Sequence, residues 1–202
     1  MTYPQHLAVI SPHIRSVSDQ SNRLATGPMI FLEAWAALLV ERSDDGRFSF
    51  QQVYRHDQPR GASVELLIDM LSLLKHPTTL AAFRVGDLAT SLVKVPLGSI
   101  DQIRGKLALL HLRDAAMRQP IDAAHLDAQG GVPSLRRAAL ACDLPAEWDE
   151  PGASYNPLRL HQQLTARTQA MWVAIAKDRL PAGGAWQAMF DFANWKETQL
   201  TD

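Results

Sequence analysis

The first part of the chain alternates apolar segments with turn-forming residues, a pattern that predicts strands. Residues 7–10 are a short apolar segment, rich in β-branched residues, that ends at Ser11-Pro12. Two longer apolar segments, 29–42 and 47–55, flank an Asp-Gly turn, which predicts a β-hairpin. Residues 78–83 form another short β-rich segment. Three strands are therefore expected near the beginning of the chain, and a fourth after them.

Later segments repeat apolar residues at helical spacing. Val64, Leu67, Ile68, Leu71 and Leu74 predict a helix that ends before His76-Pro77. Residues 106–111 fit a strand or the start of a helix. Further helices are predicted over residues 87–95, 135–142, 160–175 and 186–193, and the third of these has the clearest apolar face.

This order predicts one α/β domain over residues 1–202, with a mixed sheet flanked by helices and residues 181–202 as a C-terminal helical extension. The five tryptophans, Trp35, Trp148, Trp172, Trp186 and Trp195, are expected to fill core space. The apolar faces of the last helices are expected to cover the domain's own core. The alternative for Trp186, Phe190 and Trp195 is an interface with a protein partner or a second copy.

Composition narrows the class of protein. The 202 residues are 47% hydrophobic and 20% charged, with a net charge of −1. This balance excludes a disordered chain and a strongly basic nucleic-acid binder, but it does not exclude a local basic groove. The single cysteine, Cys142, and an N-terminus unlike a signal peptide predict a cytoplasmic protein. The longest apolar run is far shorter than the ~20 residues that cross a bilayer, so no membrane association is expected.

Common catalytic and cofactor motifs are absent from the sequence. There is no glycine-rich phosphate loop, no zinc-ligand spacing and no Gly-x-Ser-x-Gly elbow. The seven histidines show no i, i+4 pair on one predicted helix, so they do not indicate a shared metal site. No cofactor is predicted from these residues.

Four segments in order carry a resemblance to a known family. The first is a hairpin with Asp44-Asp45-Gly46-Arg47 at its turn, and the second is a strand followed by Asp87. The third is a short predicted helix that begins with Ser-Leu and ends with Leu-Pro. The fourth is a helix with a histidine near its start. The segments are 29–47, 79–88, 132–145 and 161–172. Together they resemble the DEDD-type exonucleases, the proofreading branch of the RNase H-like fold, over about residues 7–180. The resemblance implies a mixed sheet and two-metal hydrolysis of nucleic acid.

The sequence departs from that family at the metal ligands. Where the family has an Asp-x-Glu pair on its first strand, this chain has Ser11 and His13. Asp87 matches the second-motif aspartate with a slip of one residue, and His161 matches the general-base histidine with the same slip. Thr165 lies where the last aspartate is required. Because Mg²⁺ prefers carboxylate ligands, the resemblance predicts a degenerate site.

These observations lead to three hypotheses about function. The first is a catalytically degenerate exonuclease-like domain that binds single-stranded nucleic acid or a protein partner. The second is an active 3'-5' exonuclease that uses Mg²⁺ or Mn²⁺ at displaced ligands. The third is a mostly helical, non-enzymatic interaction subunit. The carboxylates available for a displaced site are Glu33, Asp69, Asp114, Asp122 and Asp127.

Overall fold

The computed structural model describes residues 3–17, 29–56, 63–97, 102–126 and 156–199. These residues form an α/β arrangement in which a five-stranded mixed sheet is flanked by five helices. The strands are β1 (His6–Val17), β2 (Met29–Arg42), β3 (Phe48–His56), β4 (Thr79–Ala82) and β5 (Ile121–Asp122). The helices are α1 (Ser63–Ser72), α2 (Val85–Leu92), α3 (Gln102–Met117), α4 (Pro157–Arg179) and α5 (Ala182–Gln199).

The sheet has the strand order β3-β2-β1-β4-β5. Strands β1, β2 and β3 form an antiparallel meander, and the turn between β2 and β3 places Gly46 at a positive φ of 83°. That angle favours glycine, so the Asp-Gly turn forms as predicted. Strands β4 and β5 then extend the sheet parallel to β1. The five strands contradict the alternative of a mostly helical subunit.

Helices pack on both faces of the sheet and enclose two main apolar layers. On one face, Leu7 and Val9 of β1 pack with Trp172 of α4 and Phe192 of α5. On the other face, alternate residues of β1 pack with α1, α2 and α3. Burial on both faces explains why residues 7–10 are continuously apolar. Because α5 shares the first layer, the C-terminal extension is packed into the core.

Strand β1 is longer than its apolar segment predicts. It continues through Pro12 to Val17, so the predicted end at Ser11-Pro12 is wrong. Only Leu7 to Ile10 pair with β4, whereas β2 pairs with the whole length of β1. Among the described strands, β2 is therefore the one neighbour of β1 at Pro12, and such a position tolerates the missing N–H.

Helix positions were predicted more reliably than tryptophan burial. The ambiguous segment 106–111 lies inside α3, and α2 begins two residues before its predicted start. Trp35 and Trp172 are buried, and Trp195 packs against the core, as expected. Trp186 is 67% exposed, so its predicted core position is wrong. The predicted helix 135–142, Trp148 and Cys142 lie outside the described residues.

Candidate functional site at the end of strand β1

Ser11 and His13 lie on the face of β1 that α4 covers. Leu7 and Val9 point into the α4 layer, and side chains alternate along a strand, which places Ser11 and His13 on the same face. Ser11 is buried, and His13 is partly exposed, with 25% of its side chain accessible. The two positions at which the resembled family has its Asp-x-Glu pair thus lie on the face of β1 that α4 covers.

A β-bulge beside His13 brings a carboxylate to this end of the sheet. His13 pairs with Ala34 and Ile14 pairs with Leu32, so Glu33 is an extra residue in β2. Bulges re-aim side chains next to the ladder. The Glu33 carboxylate contacts the Arg15 guanidinium and lies 3.5 Å from Nε2 of His13. His13, Arg15 and Glu33 are called the bulge cluster below.

The charge state of His13 is controlled by its surroundings. Burial lowers the pKa of His13 below its ordinary value of 6.5, and the Glu33 carboxylate opposes that shift. Positive charge on Arg167, Arg15 and His56 lowers the pKa further. At neutral pH the imidazole is therefore neutral, and its contact with Glu33 joins a neutral ring to a carboxylate.

We expect the bulge cluster to make stability fall in mildly acidic solution. Because the folded pKa of His13 is depressed, the unfolded chain binds more protons between that pKa and about pH 6.5. The free energy of unfolding is thus highest above pH 6.5 and decreases as the pH falls through the folded pKa. Urea unfolding at about pH 7.5 and about pH 5.5 measures this loss. The His13→Gln variant should lose less stability than the unmodified chain between these two pH values. An equal loss in the two proteins would show that His13 does not cause the effect.

Helix α4 contributes His161, Thr165 and Arg167 to the same end of the sheet. The helix begins at Pro157, and the Asn156 side chain caps it by accepting hydrogen bonds from the N–H groups of Leu158 and Arg159. The His161 ring stacks on Tyr54 of β3 with 4.2 Å between ring centroids, and burial lowers the pKa of His161. These contacts fix the first turns of α4 against the sheet.

Thr165 has a buried hydroxyl at this junction. Its Oγ1 atom forms no hydrogen bond with any other described residue. The next turn is polar as well, because Oγ1 of Thr168 donates to the Thr165 carbonyl oxygen and accepts from Gln52 of β3. A small apolar group of Ala34, Ala36, Leu160 and Leu164 lies beside these residues. The first half of α4 is thus packed directly onto β2.

Asp87 is not part of this cluster. It lies in the first turn of α2, whose buried residues belong to the apolar layer on the opposite face of the sheet. Its side chain is 77% exposed and lies 4.0 Å from Arg84. The structure therefore brings Ser11, His13, Thr165 and His161 to β1 and the first half of α4, and it places Asp87 elsewhere.

The other carboxylates considered for a displaced metal site are dispersed. Asp69 and Asp114 are exposed on α1 and α3, and Asp127 lies outside the described residues. Asp122 of β5 accepts hydrogen bonds from the backbone N–H groups of Arg84, Val85 and Ala124, so its carboxylate caps α2. Within the described ranges, no group of three or more His, Cys, Asp and Glu residues is placed to hold a metal ion.

The bulge cluster does not fit the metal pair that the resemblance implies. Two divalent ions need several hard oxygen ligands, and Glu33 supplies the one carboxylate of this cluster. That carboxylate already contacts Arg15 and His13. The positive charges of Arg15 and Arg167 also disfavour a nearby divalent cation. Together with Arg167, the cluster carries more positive than negative charge, so it suits an anion better than a divalent cation.

The sequence singled out Ser11, His13, His161 and Thr165, but it did not predict that Glu33 contacts His13 and Arg15 or that the charge of Arg167 acts on His13. The alternation of β1 could have placed Arg15 near His13. The bulge that turns Glu33 toward them has no glycine or other marker in the sequence. Arg167 follows Thr165 by two residues, and its proximity to His13 depends on how α4 is rotated against the sheet.

In comparisons with known proteins, no family model matches the chain and no curated protein matches it. The class that the structure defines is an α/β arrangement with a five-stranded mixed sheet and helices on both faces. Among the helices described, none combines the length and apolar character needed to cross a membrane.

Proposed function

We propose that this chain is a catalytically degenerate, exonuclease-like domain of the RNase H-like fold that binds single-stranded nucleic acid without hydrolysing it. The sheet supports the fold proposal, since an antiparallel meander of three strands precedes two strands parallel to β1. Helix α4, which carries His161 and Thr165, packs across β1 and β2.

One observation carries the functional proposal. In the proposed domain Ser11, His13 and Thr165 stand where the family has three carboxylates, and they lie on β1 and on α4, the helix that packs against it. Phosphodiester hydrolysis by the family's route needs two metal ions to activate water and to stabilise the leaving oxygen. Without the carboxylates, the charge that develops in the transition state has no metal to balance it.

The same replacements change the preferred ligand of the site. Carboxylates would attract metal ions, whereas the guanidinium groups of Arg15 and Arg167 attract anions. A phosphate group is the anion that an exonuclease-like surface would meet, and arginine binds phosphate oxygens through paired N–H groups. Arg15 is half exposed at the end of the sheet, so a phosphate can reach it from solvent.

The test combines digestion and binding on the same labelled oligonucleotides. With Mg²⁺ or Mn²⁺ present, single-stranded DNA and RNA should remain full length. In fluorescence anisotropy without metal, the chain should bind these oligonucleotides, and Arg15→Gln should weaken the affinity by about three- to tenfold through loss of a phosphate contact.

Arg47→Gln is the matched control, because Arg47 is an exposed arginine at the opposite end of the β2–β3 hairpin. It should leave the affinity within about twofold of the unmodified chain. Metal-dependent shortening of the oligonucleotides that Asp87→Ala abolishes would show an active exonuclease. Equal effects of Arg15→Gln and Arg47→Gln would remove the phosphate site from the proposal.

A further inference from the structure

A groove of about 930 Å³ runs between α2 and α3, on the face of the sheet opposite the bulge cluster. Its lining is apolar apart from Thr90, Lys94, Lys106 and Arg113, and it contains no acidic residue. Three of its apolar side chains are largely open to solvent, namely Val93, Leu110 and Met117. The rim of this groove is therefore apolar and positively charged.

Helix α3 has two apolar faces, and one of them is covered. Its inner face is buried against the core through Gly105, Ala108, Leu112 and Ala115. Its outer face carries Ile103, Leu107, Leu110 and Met117, which are 77%, 54%, 48% and 75% exposed. A helix that is apolar on opposite sides is normally packed on both. The exposed Asp114 lies among them, and Leu110 and Met117 also line the groove. Exposed apolar side chains grouped in this way mark an interaction site.

The charges on the rim indicate what covers the groove. Lys94, Lys106 and Arg113 form no ion pair with another residue in the part of the chain that the structure describes. A partner with carboxylates along its edges would satisfy them, whereas a basic partner would be repelled. The surface therefore selects by charge at the rim and gains binding energy from apolar contact inside the groove.

The shape indicates a helical partner. A groove between two helices accepts the side chains of a third helix, which presents apolar anchors at i, i+3, i+4 and i+7. Helix α3 has 16 residues and is about 24 Å long, enough to lie along a partner helix of about four turns. We propose that the α2–α3 groove docks an acidic, amphipathic helix of a partner protein. This proposal is independent of nucleic-acid binding at the bulge cluster.

Two designed peptides of about 16 residues test the proposal. Both carry leucines at i, i+3, i+4 and i+7, and one has glutamates along its edges where the other has lysines. Fluorescence anisotropy should show that the full chain binds the glutamate peptide about tenfold more tightly than the lysine peptide. Added salt should reduce this difference. Lys106→Glu combined with Arg113→Glu should reverse the preference between the two peptides.

Substitutions on the apolar rim locate the binding site. Leu110→Glu and Met117→Glu should each weaken binding of the glutamate peptide by at least about tenfold. Leu158→Glu is the matched control, because Leu158 is an exposed leucine on α4 and does not line the groove. Thermal unfolding checks that all three variants remain folded, and Leu110→Gln replaces Leu110→Glu if the charge prevents folding.

Several results would overturn the proposal. Equal affinity for the two peptides would show that the rim charges do not select the partner. Absence of binding of either peptide at about 1 mM would show that the groove is not a docking site. A dimer that sedimentation detects and that Leu110→Glu dissociates would assign the groove to a second copy. Protection of the groove from hydrogen exchange in the free monomer would show that the chain itself covers it.

Discussion

Replacing Trp172 with alanine is expected to lower the free energy of unfolding by about 3–5 kcal/mol, the cost typical of emptying a large aromatic site. Trp172 is fully buried in the layer between the sheet and α5. Its ring lies 4.8 Å from the rings of both Phe50 and Phe192, so the substitution removes contacts to a strand and a helix together. Urea unfolding followed by far-ultraviolet circular dichroism measures the loss without relying on tryptophan fluorescence.

A milder variant separates the polar contact of Trp172 from its packing. Nε1 of Trp172 donates a hydrogen bond of 2.9 Å to the Tyr3 hydroxyl, and burial raises the pKa of that hydroxyl. Tyr3→Phe removes the acceptor and keeps the ring, so it should cost about 1–3 kcal/mol for the unsatisfied indole N–H. A loss below about 1 kcal/mol for Trp172→Ala would contradict the packing described for this layer.

Asp122→Ala is expected to lower the free energy of unfolding by about 2–3 kcal/mol. The Asp122 carboxylate accepts from the N–H groups of Arg84, Val85 and Ala124 at 2.9, 3.1 and 2.9 Å. Arg84 also has a positive φ of 54°, which a non-glycine residue adopts at some energetic cost. Removing the carboxylate leaves the start of α2 without its cap and without a partner for this strained turn.

Two variants control for the effect of charge and of surface position. Asp122→Asn keeps an oxygen that accepts hydrogen bonds, so its loss should lie between zero and that of Asp122→Ala. Asp114→Ala removes an exposed carboxylate on α3 and should change stability by less than about 0.5 kcal/mol. Thermal unfolding of the three variants gives the order. If Asp122→Ala and Asp114→Ala are equal, the capping role is wrong.

The antiparallel meander could be predicted because its signals are local. The Asp-Gly turn and the apolar segments on either side determine the pairing of β2 with β3. Strand β5 has no such signal, because two residues, Ile121 and Asp122, are too few for any periodicity. Its position depends on pairing with β4, which is a property of the assembled sheet.

Burial of aromatic residues could be predicted only in part. Trp172 and Trp186 both occur in helices and next to apolar residues, so local pattern treats them alike. In the structure, the face of α5 with Ala188 and Phe192 packs against the core. Trp186 and Phe190 stack on each other at the surface, with 5.5 Å between their ring centroids. The rotation of α5 about its axis decides which tryptophan is buried.

The candidate site could also be predicted only in part. Ser11 and His13 could be placed on one face from strand alternation alone. Asp87 was expected to join them, yet α2 packs on the opposite face after β4, so the residue points away from β1. Glu33 reaches the cluster through a bulge without a sequence marker. The two-residue periodicity of a strand was enough to place Ser11 and His13 on one face. The position of Asp87 depends on where α2 packs, and that of Glu33 depends on a bulge in the strand pairing, so neither could be predicted from the sequence.

We propose that the β1–α4 junction binds an anion where the DEDD-type exonucleases bind metal ions. Titration with Mn²⁺ during thermal unfolding tests it most directly, because a ligand that binds the folded state raises stability by RT ln(1 + [L]/Kd). We expect no rise in the unfolding midpoint at millimolar Mn²⁺. A saturable rise in the midpoint, which corresponds to about 2.7 kcal/mol of stability at a hundredfold excess over Kd and which Glu33→Gln or Asp87→Ala removes, would show that a metal site is present.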